Sequence, residues 1–142
     1  MALKLDAELI RYISLFEKIT RSKVRDCFYF KDKLVFMVEN GEMPKALGKN
    51  KGNIFKIENL VKKKIKIMEY NSEMLKFIVN LFAPLKVQNI NEEEGVVTIT
   101  GPDTKTKGLM IGAQAQNLRA YESVAKQYFP QLEEIKVVWK DL

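Results

Sequence analysis

Apolar side chains recur along this chain first at helical spacing and then at strand spacing, and they do so twice. Near the start, Leu9, Ile13 and Phe16 share one face of a predicted helix, with Asp6 available as its N-cap. Residues 23–30 and 33–39 read as two strands around a short turn at Lys31-Asp32. A short segment, a glycine loop and a second helix follow, and Ile54, Ile57 and Val61 line one face of that helix. Ile65 and Ile67, set between lysines, predict a closing strand.

The second half runs through the same order. Asn71 or Ser72 is expected to cap a helix whose Leu75, Ile78 and Phe82 share a face, and Pro84 to end it. Strands are expected over 85–91 and 96–100, where Val97 and Ile99 alternate with Thr98 and Thr100 around a turn at Glu92-Glu93-Glu94-Gly95. Leu118, Tyr121, Ala125 and Tyr128 mark the later helix, and Ile135, Val137 and Trp139 the last strand. The pattern predicts two α+β units, residues 1–70 and 71–142, joined at Glu69-Tyr70-Asn71-Ser72 with no room for a flexible linker.

A residue-level repeat accompanies the order of elements. Leu47-Gly48-Lys49-Asn50-Lys51-Gly52-Asn53-Ile54 aligns with Ile111-Gly112-Ala113-Gln114-Ala115-Gln116-Asn117-Leu118 at an offset of 64. The alignment continues to Glu58 with Glu122 and Val61 with Ala125. A glycine between two helices lets the backbone approach a ligand, while the second helix offers free N–H groups and the positive end of its dipole. Phosphate binding follows from that geometry; a plain helix–turn–helix bend is the structural alternative. A nucleotide P-loop is excluded, because Met43 stands where its first glycine belongs and Asn50 where its Ser or Thr belongs.

Composition narrows the chemistry. With no histidine, neither a Ser-His nor a Cys-His nucleophile pair exists, and with Cys27 alone no ordinary structural zinc site or internal disulfide can form. No cofactor, metal or small-molecule substrate is expected, and carboxylates, lysines and tyrosines show no spacing that marks an enzyme. No apolar run reaches membrane-spanning or signal-peptide length, so a cytoplasmic location is expected. The net charge of +6 is uneven: residues 1–71 hold 16 basic and 9 acidic side chains, residues 72–142 hold 8 and 9. The half whose loop carries lysines therefore holds the whole positive excess, which suits a polyanion.

The loops Ala46-Leu47-Gly48-Lys49 and Lys107-Gly108-Leu109-Met110-Ile111-Gly112, with Asn117, resemble the nucleic-acid loops of KH domains. Together with Leu15-Phe16-Glu17, Val24-Arg25-Asp26-Cys27 and Asn80-Leu81-Phe82-Ala83-Pro84, they give a chain that resembles the short archaeal form of the NusA transcription factors over residues 5–139. The resemblance implies two tandem KH type II domains, each a three-stranded sheet with helices packed on one face in the order αββααβ. It implies single-stranded nascent RNA as partner, RNA polymerase as a second, and a role in elongation, termination or antitermination. KH loops clamp the backbone of about four nucleotides. On that basis the RNA-binding set is Lys45, Gly48, Lys49, Asn50, Lys51, Gly52, Asn53 and Lys56, with Gly112, Ala113, Gln114, Ala115, Gln116, Asn117 and Arg119 on the second loop. Both loops depart from the G-x-x-G pattern at position four, which is Lys51 in one and Ala115 in the other. Lys49 and Lys51 bring charge, whereas Ala113 and Ala115 bring none. A protein-interaction module that contacts polymerase and binds little RNA is the alternative.

Other features have simpler readings. Lys62-Lys63-Lys64-Ile65-Lys66 fits a helix C-terminus followed by the solvent face of a strand. Cys27 reads as a small buried hydrophobe, and Glu92–Glu94 as a solvated turn. Phe16, Phe36, Phe82 and Tyr121 fall in core patterns, but Phe55 lies off the Ile54/Ile57/Val61 face.

Overall fold

A computed structural model describes residues 6–112 and 115–139, the side chain of Trp139 excepted. The chain divides into two compact units between Asn71 and Ser72. In the first, α1 (Ala7–Thr20) leads into β1 (Val24–Phe30) and β2 (Lys33–Val38), then α2 (Met43–Leu47), α3 (Gly52–Val61) and β3 (Ile65–Glu69). In the second, α4 (Met74–Phe82) is followed by β4 (Asn89–Glu93), β5 (Val96–Gly101), α5 (Thr104–Ile111), α6 (Gln116–Tyr128) and β6 (Glu134–Trp139). Each unit is α+β in the order αββααβ. Each has one three-stranded sheet, β1-β2-β3 or β4-β5-β6.

The first pair of strands in each sheet is antiparallel and the second parallel. A hairpin suffices for the former. Parallel strands require a crossover, and here two helices and the glycine loop between them supply it. In unit one, Leu34 lies opposite Ile65 and Phe36 opposite Ile67; in unit two, Val97 lies opposite Ile135 and Ile99 opposite Val137. These side chains are buried, and the central strand β2 is apolar and buried from Leu34 through Val38.

Helices pack on the face of the first sheet that bears Leu34, Phe36 and Val38. Leu9, Phe16, Ala46, Ile57 and Val61 join these residues with Cys27, Ile65 and Ile67 in one core cluster. The Phe16 and Phe36 rings stack with centroids 4.3 Å apart. The Cys27 thiol is pushed up to about 12, first by burial and then by the negative charges of Asp26 and Asp6. In unit two, Phe82 stacks on Tyr121 at 4.0 Å and Phe77 meets Phe129 edge-on at 5.1 Å.

Asp6 caps α1 as expected, its carboxylate accepting from Leu9 N at 2.9 Å. The expected cap of α4 is corrected. Neither Asn71 nor Ser72 occupies that position: the helix starts at Met74, with Glu73 before it and no side-chain cap hydrogen bond. Asn and Ser favour turns as readily as caps, so the pattern had two readings. Ala83 takes an extended ψ of 143° before Pro84, and the helix stops there. The strand expected over 85–91 starts only at Asn89, because Leu85 N first turns back to Phe82 O. The acidic run is also shorter as a turn: Glu92 and Glu93 belong to β4, and only Glu94 and Gly95, at φ 51° and 83°, make the reversal. Lys66 is half-buried and not on a solvent face, and burial, then Lys33, lowers its ammonium to about 8.

The repeated glutamate performs the same task in each unit. Glu58 Oε2 accepts from Ile65 N at 3.0 Å, and Glu122 Oε2 accepts from Ile135 N at 2.8 Å. Each carboxylate therefore ties the crossover's last helix to the start of the closing strand. Glu122 is buried and also receives Arg119 at 3.3 Å and Lys126 at 3.8 Å. Truncation leaves a strand N–H without its acceptor, a cost of about 1–3 kcal/mol. Glu122→Ala is expected to lower the melting temperature by roughly 4–8 °C per kcal/mol lost. Glu58→Ala should follow in the same direction, and thermal melts followed by circular dichroism check both.

Candidate nucleic-acid interface

The two glycine loops share one backbone conformation at their first and fourth positions. Gly48 has φ 70°, ψ −173°, and Gly112 has φ 72°, ψ 177°, a region that only glycine occupies freely. Position four is left-handed in each, Lys51 at φ 58°, ψ 26° and Ala115 at φ 62°, ψ 22°. Gly48 N donates to Pro44 O and Lys51 N to Gly48 O. Gly112 N donates to Gly108 O and Ala115 N to Gly112 O, so the two hydrogen-bond patterns match.

An asparagine side chain fills the space over each glycine. Asn53 Nδ2 donates to the carbonyls of Lys45 at 3.2 Å and Ala46 at 3.1 Å, closing the end of α2. Asn117 Nδ2 donates to Leu109 O at 2.9 Å and closes α5. A Cβ on Gly48 would sit 2.6 Å from Asn53 Nδ2, and one on Gly112 would sit 2.6 Å from Asn117 Cγ. The first glycine of each loop is thus required by packing as well as by dihedral angle.

The residues expected to bind RNA separate into three groups. Asn53 and Asn117 hold helix ends through their amides. Lys45 and Arg119 are exposed but paired, Lys45 with Glu42 at 3.4 Å and Arg119 with Glu122 at 3.3 Å. Lys49, Asn50, Lys51 and Lys56 are exposed around the first loop, with Gly48 and Gly52 half-buried beneath them, and Gln116 is exposed at the second. Ala113 and Gln114 lie outside the described residues. Gly52 is the first residue of α3, in ordinary helical conformation at φ −64°, and a Cβ there would meet nothing within 4 Å.

Two features favour an anion at the first loop. No side chain caps α3, so the start of that helix keeps its dipole uncompensated by an Asx or Ser cap, unlike α1 and α5 with Asp6 and Asp103. Lys49 and Lys51 project from a loop whose neighbours include no acidic side chain between Glu42 and Glu58. Helix α6 likewise starts without a side-chain cap, but its loop offers Ala115 where the first offers Lys51. Sequence reasoning missed the structural work of Asn53, Asn117, Glu58 and Glu122; their recurrence at matching positions was the available signal. Among the described residues, no three His, Cys, Asp or Glu side chains gather to hold a metal ion, and no helix is long and apolar enough to cross a membrane.

Two αββααβ units, each with a glycine loop between the helices of its parallel crossover, define a tandem KH type II protein. No protein-family model matches the chain. It is similar to proteins named probable transcription termination protein NusA from three archaea. The Methanocaldococcus jannaschii protein is 29% identical over 138 residues, covering 95% of this chain and 75% of the relative. The Halococcus morrhuae protein is 28% identical over 131 residues, covering 91% and 94%. The Methanococcus vannielii protein is 38% identical over 90 residues, covering 63% of this chain and 52%, about half, of the relative. Among solved structures, the crystal structure of APE1850 shares 28% identity at a TM-score of 0.69, covering 94% of this chain and all of that one. Over most of its length the chain is similar to archaeal NusA-type proteins.

The geometry assigns different duties to the two glycines of the first loop. Gly48→Ala is expected to cost about 1–3 kcal/mol, since it forces a Cβ into a glycine-only region and onto Asn53. Gly52→Ala should instead be neutral or stabilising by about 0.4–1 kcal/mol. Ala115→Gly should also stabilise, because it relieves about 1 kcal/mol of left-handed strain. Denaturant unfolding of the three variants checks the order.

Proposed function

We propose that this chain is a transcription factor that binds single-stranded nascent RNA, with the first unit's loop at Gly48–Gly52 as the main contact. The observation that carries this reading is the asymmetry of two loops that share a backbone conformation at their first and fourth positions. The first surrounds an uncapped helix start with exposed Lys49, Lys51 and Lys56, and the second does not. Backbone N–H groups at the start of α3 and the lysine ammonium groups would hold phosphates, and bases would lie beside the loop. The relatives' name, a transcription termination protein, supports a role in transcription, and the reading calls for no covalent chemistry.

The second unit supports a second reading, contact with RNA polymerase. Its net charge is near neutral, its loop carries no lysine, and Arg119 is engaged by Glu122. The two readings are compatible, RNA on one unit and protein on the other.

RNA affinity measured against salt tests the first-loop contact. Each neutralised phosphate of a single strand contributes a slope of about −0.7 in log affinity against log salt. Lys49→Glu with Lys51→Glu should weaken binding and flatten that slope by roughly 1.4, two contacts' worth. An unchanged slope overturns the assignment. Recovery of RNA polymerase from nuclease-treated extract by a double variant that no longer binds RNA would support the division of labour.

A further inference from the structure

Among the described residues, the most exposed large apolar side chain stands next to the lysine-bearing glycine loop. Phe55 is 70% exposed in the first turn of α3, three residues beyond Gly52. The core takes Ile54, Ile57 and Val61 from that helix, so Phe55, Lys56 and Asn59 are left on its outer side, all exposed. The fold does not need an apolar residue here. At the aligned position of the second unit stands Arg119, also exposed, on a helix of the same place and packing. An aromatic ring held in water by a rigid helix, between cations, has one chemistry that both features serve. The ring offers a face to a flat base, and the lysines neutralise the phosphates on either side of it.

The cations lie on both sides of the ring along the helix. Lys49, Lys51 and Lys56 stand at its N-terminal end. Past its C-terminal end, Lys62, Lys63 and Lys64 border an open hollow of about 320 Å³ with Glu58 and Asn59. Ten residues of α3 span about 15 Å. A strand gripped at the loop can therefore run along the outer side of α3 to the lysines at the far end, passing Phe55 one turn in from the loop.

We propose that Phe55 stacks on a base of the bound strand and that the outer side of α3 extends the RNA track beyond the glycine loop. The proposal rests on the reading of the first loop as an RNA contact, and charge complementarity selects a single-stranded nucleic acid over a protein as occupant. Stacking is worth about 1–3 kcal/mol per base by alanine substitution, or roughly a 5- to 150-fold change in affinity.

The test uses the full chain, a short oligouridylate and an abasic oligomer of equal phosphate number. Phe55→Ala, at an exposed position, should weaken oligouridylate binding roughly 5- to 150-fold. It should leave the salt slope and the abasic oligomer's affinity unchanged. Phe55→Trp should retain affinity, and base stacking on the new indole should quench its fluorescence. Equal loss on both oligomers, or no loss on either, overturns the stacking proposal while Lys49→Glu/Lys51→Glu still reports on the loop. No loss on RNA together with reduced recovery of RNA polymerase assigns the ring to a protein contact and overturns the proposal too. A wild-type chain that binds neither oligomer sinks both readings at once.

Discussion

The structure depends on how each unit closes a parallel pair of strands. β2 and β3 cannot be joined by a hairpin, nor can β5 and β6, so each pair sends the chain out through one helix and back through another. The turn between those helices must end the first without leaving its carbonyls bare. A glycine with no Cβ and an asparagine five residues later solve this together: the amide enters the space over the glycine and bonds the last carbonyls of the helix. A glutamate five residues further accepts a strand N–H at the return to the sheet. Gly48, Asn53 and Glu58, with Gly112, Asn117 and Glu122, thus hold the corresponding junctions of two crossovers.

That constraint separates scaffold from chemistry. The two loops share dihedral angles within a few degrees at their first and fourth positions, apart from ψ values that meet across ±180°. Yet one carries Lys49 and Lys51 and the other alanines. Backbone shape is set by folding, and charge is free to differ. Position four shows the cost of this arrangement. Lys51 and Ala115 both occupy the left-handed region, at about 1–2 kcal/mol for a residue with a Cβ. In the first loop that strain places an ammonium group at the helix start; in the second it gains no charge.

Much of this was legible in the sequence. Helices announced themselves through spacing, as Leu9, Ile13 and Phe16 did, and the repeat at an offset of 64 located both crossovers before any coordinates. Boundaries set by local hydrogen bonds were harder to read. The start of β4 depends on Leu85 turning back to Phe82, and the start of α4 passes over two good capping residues. Burial of a long side chain was harder still. Lys66 alternates with isoleucines as a solvent-facing residue should, but its methylenes and ammonium are half-buried. Asn53, Asn117 and Arg119 show the deepest ambiguity: an amide or guanidinium beside a loop suits a phosphate, and only coordinates reveal the helix carbonyl or carboxylate that already holds it.

The same separation decides what a glycine loop is worth as evidence of a ligand. If Gly112 and Asn117 are needed to end α5, their presence follows from the fold and says nothing about RNA. Gly48 and Asn53 are no different. The informative residues are those with no structural duty whose choice burdens the free protein: two lysines at an uncapped helix start, and a phenylalanine left in water where the sister helix carries arginine. Concentrating cations at a dipole's positive end is unfavourable unless an anion arrives. Exposing an aromatic ring forgoes the roughly 1.5–3 kcal/mol that its burial would contribute. Both burdens fall on one end of one helix, and a nucleotide strand would relieve both, its phosphates meeting the charge and its bases covering the ring.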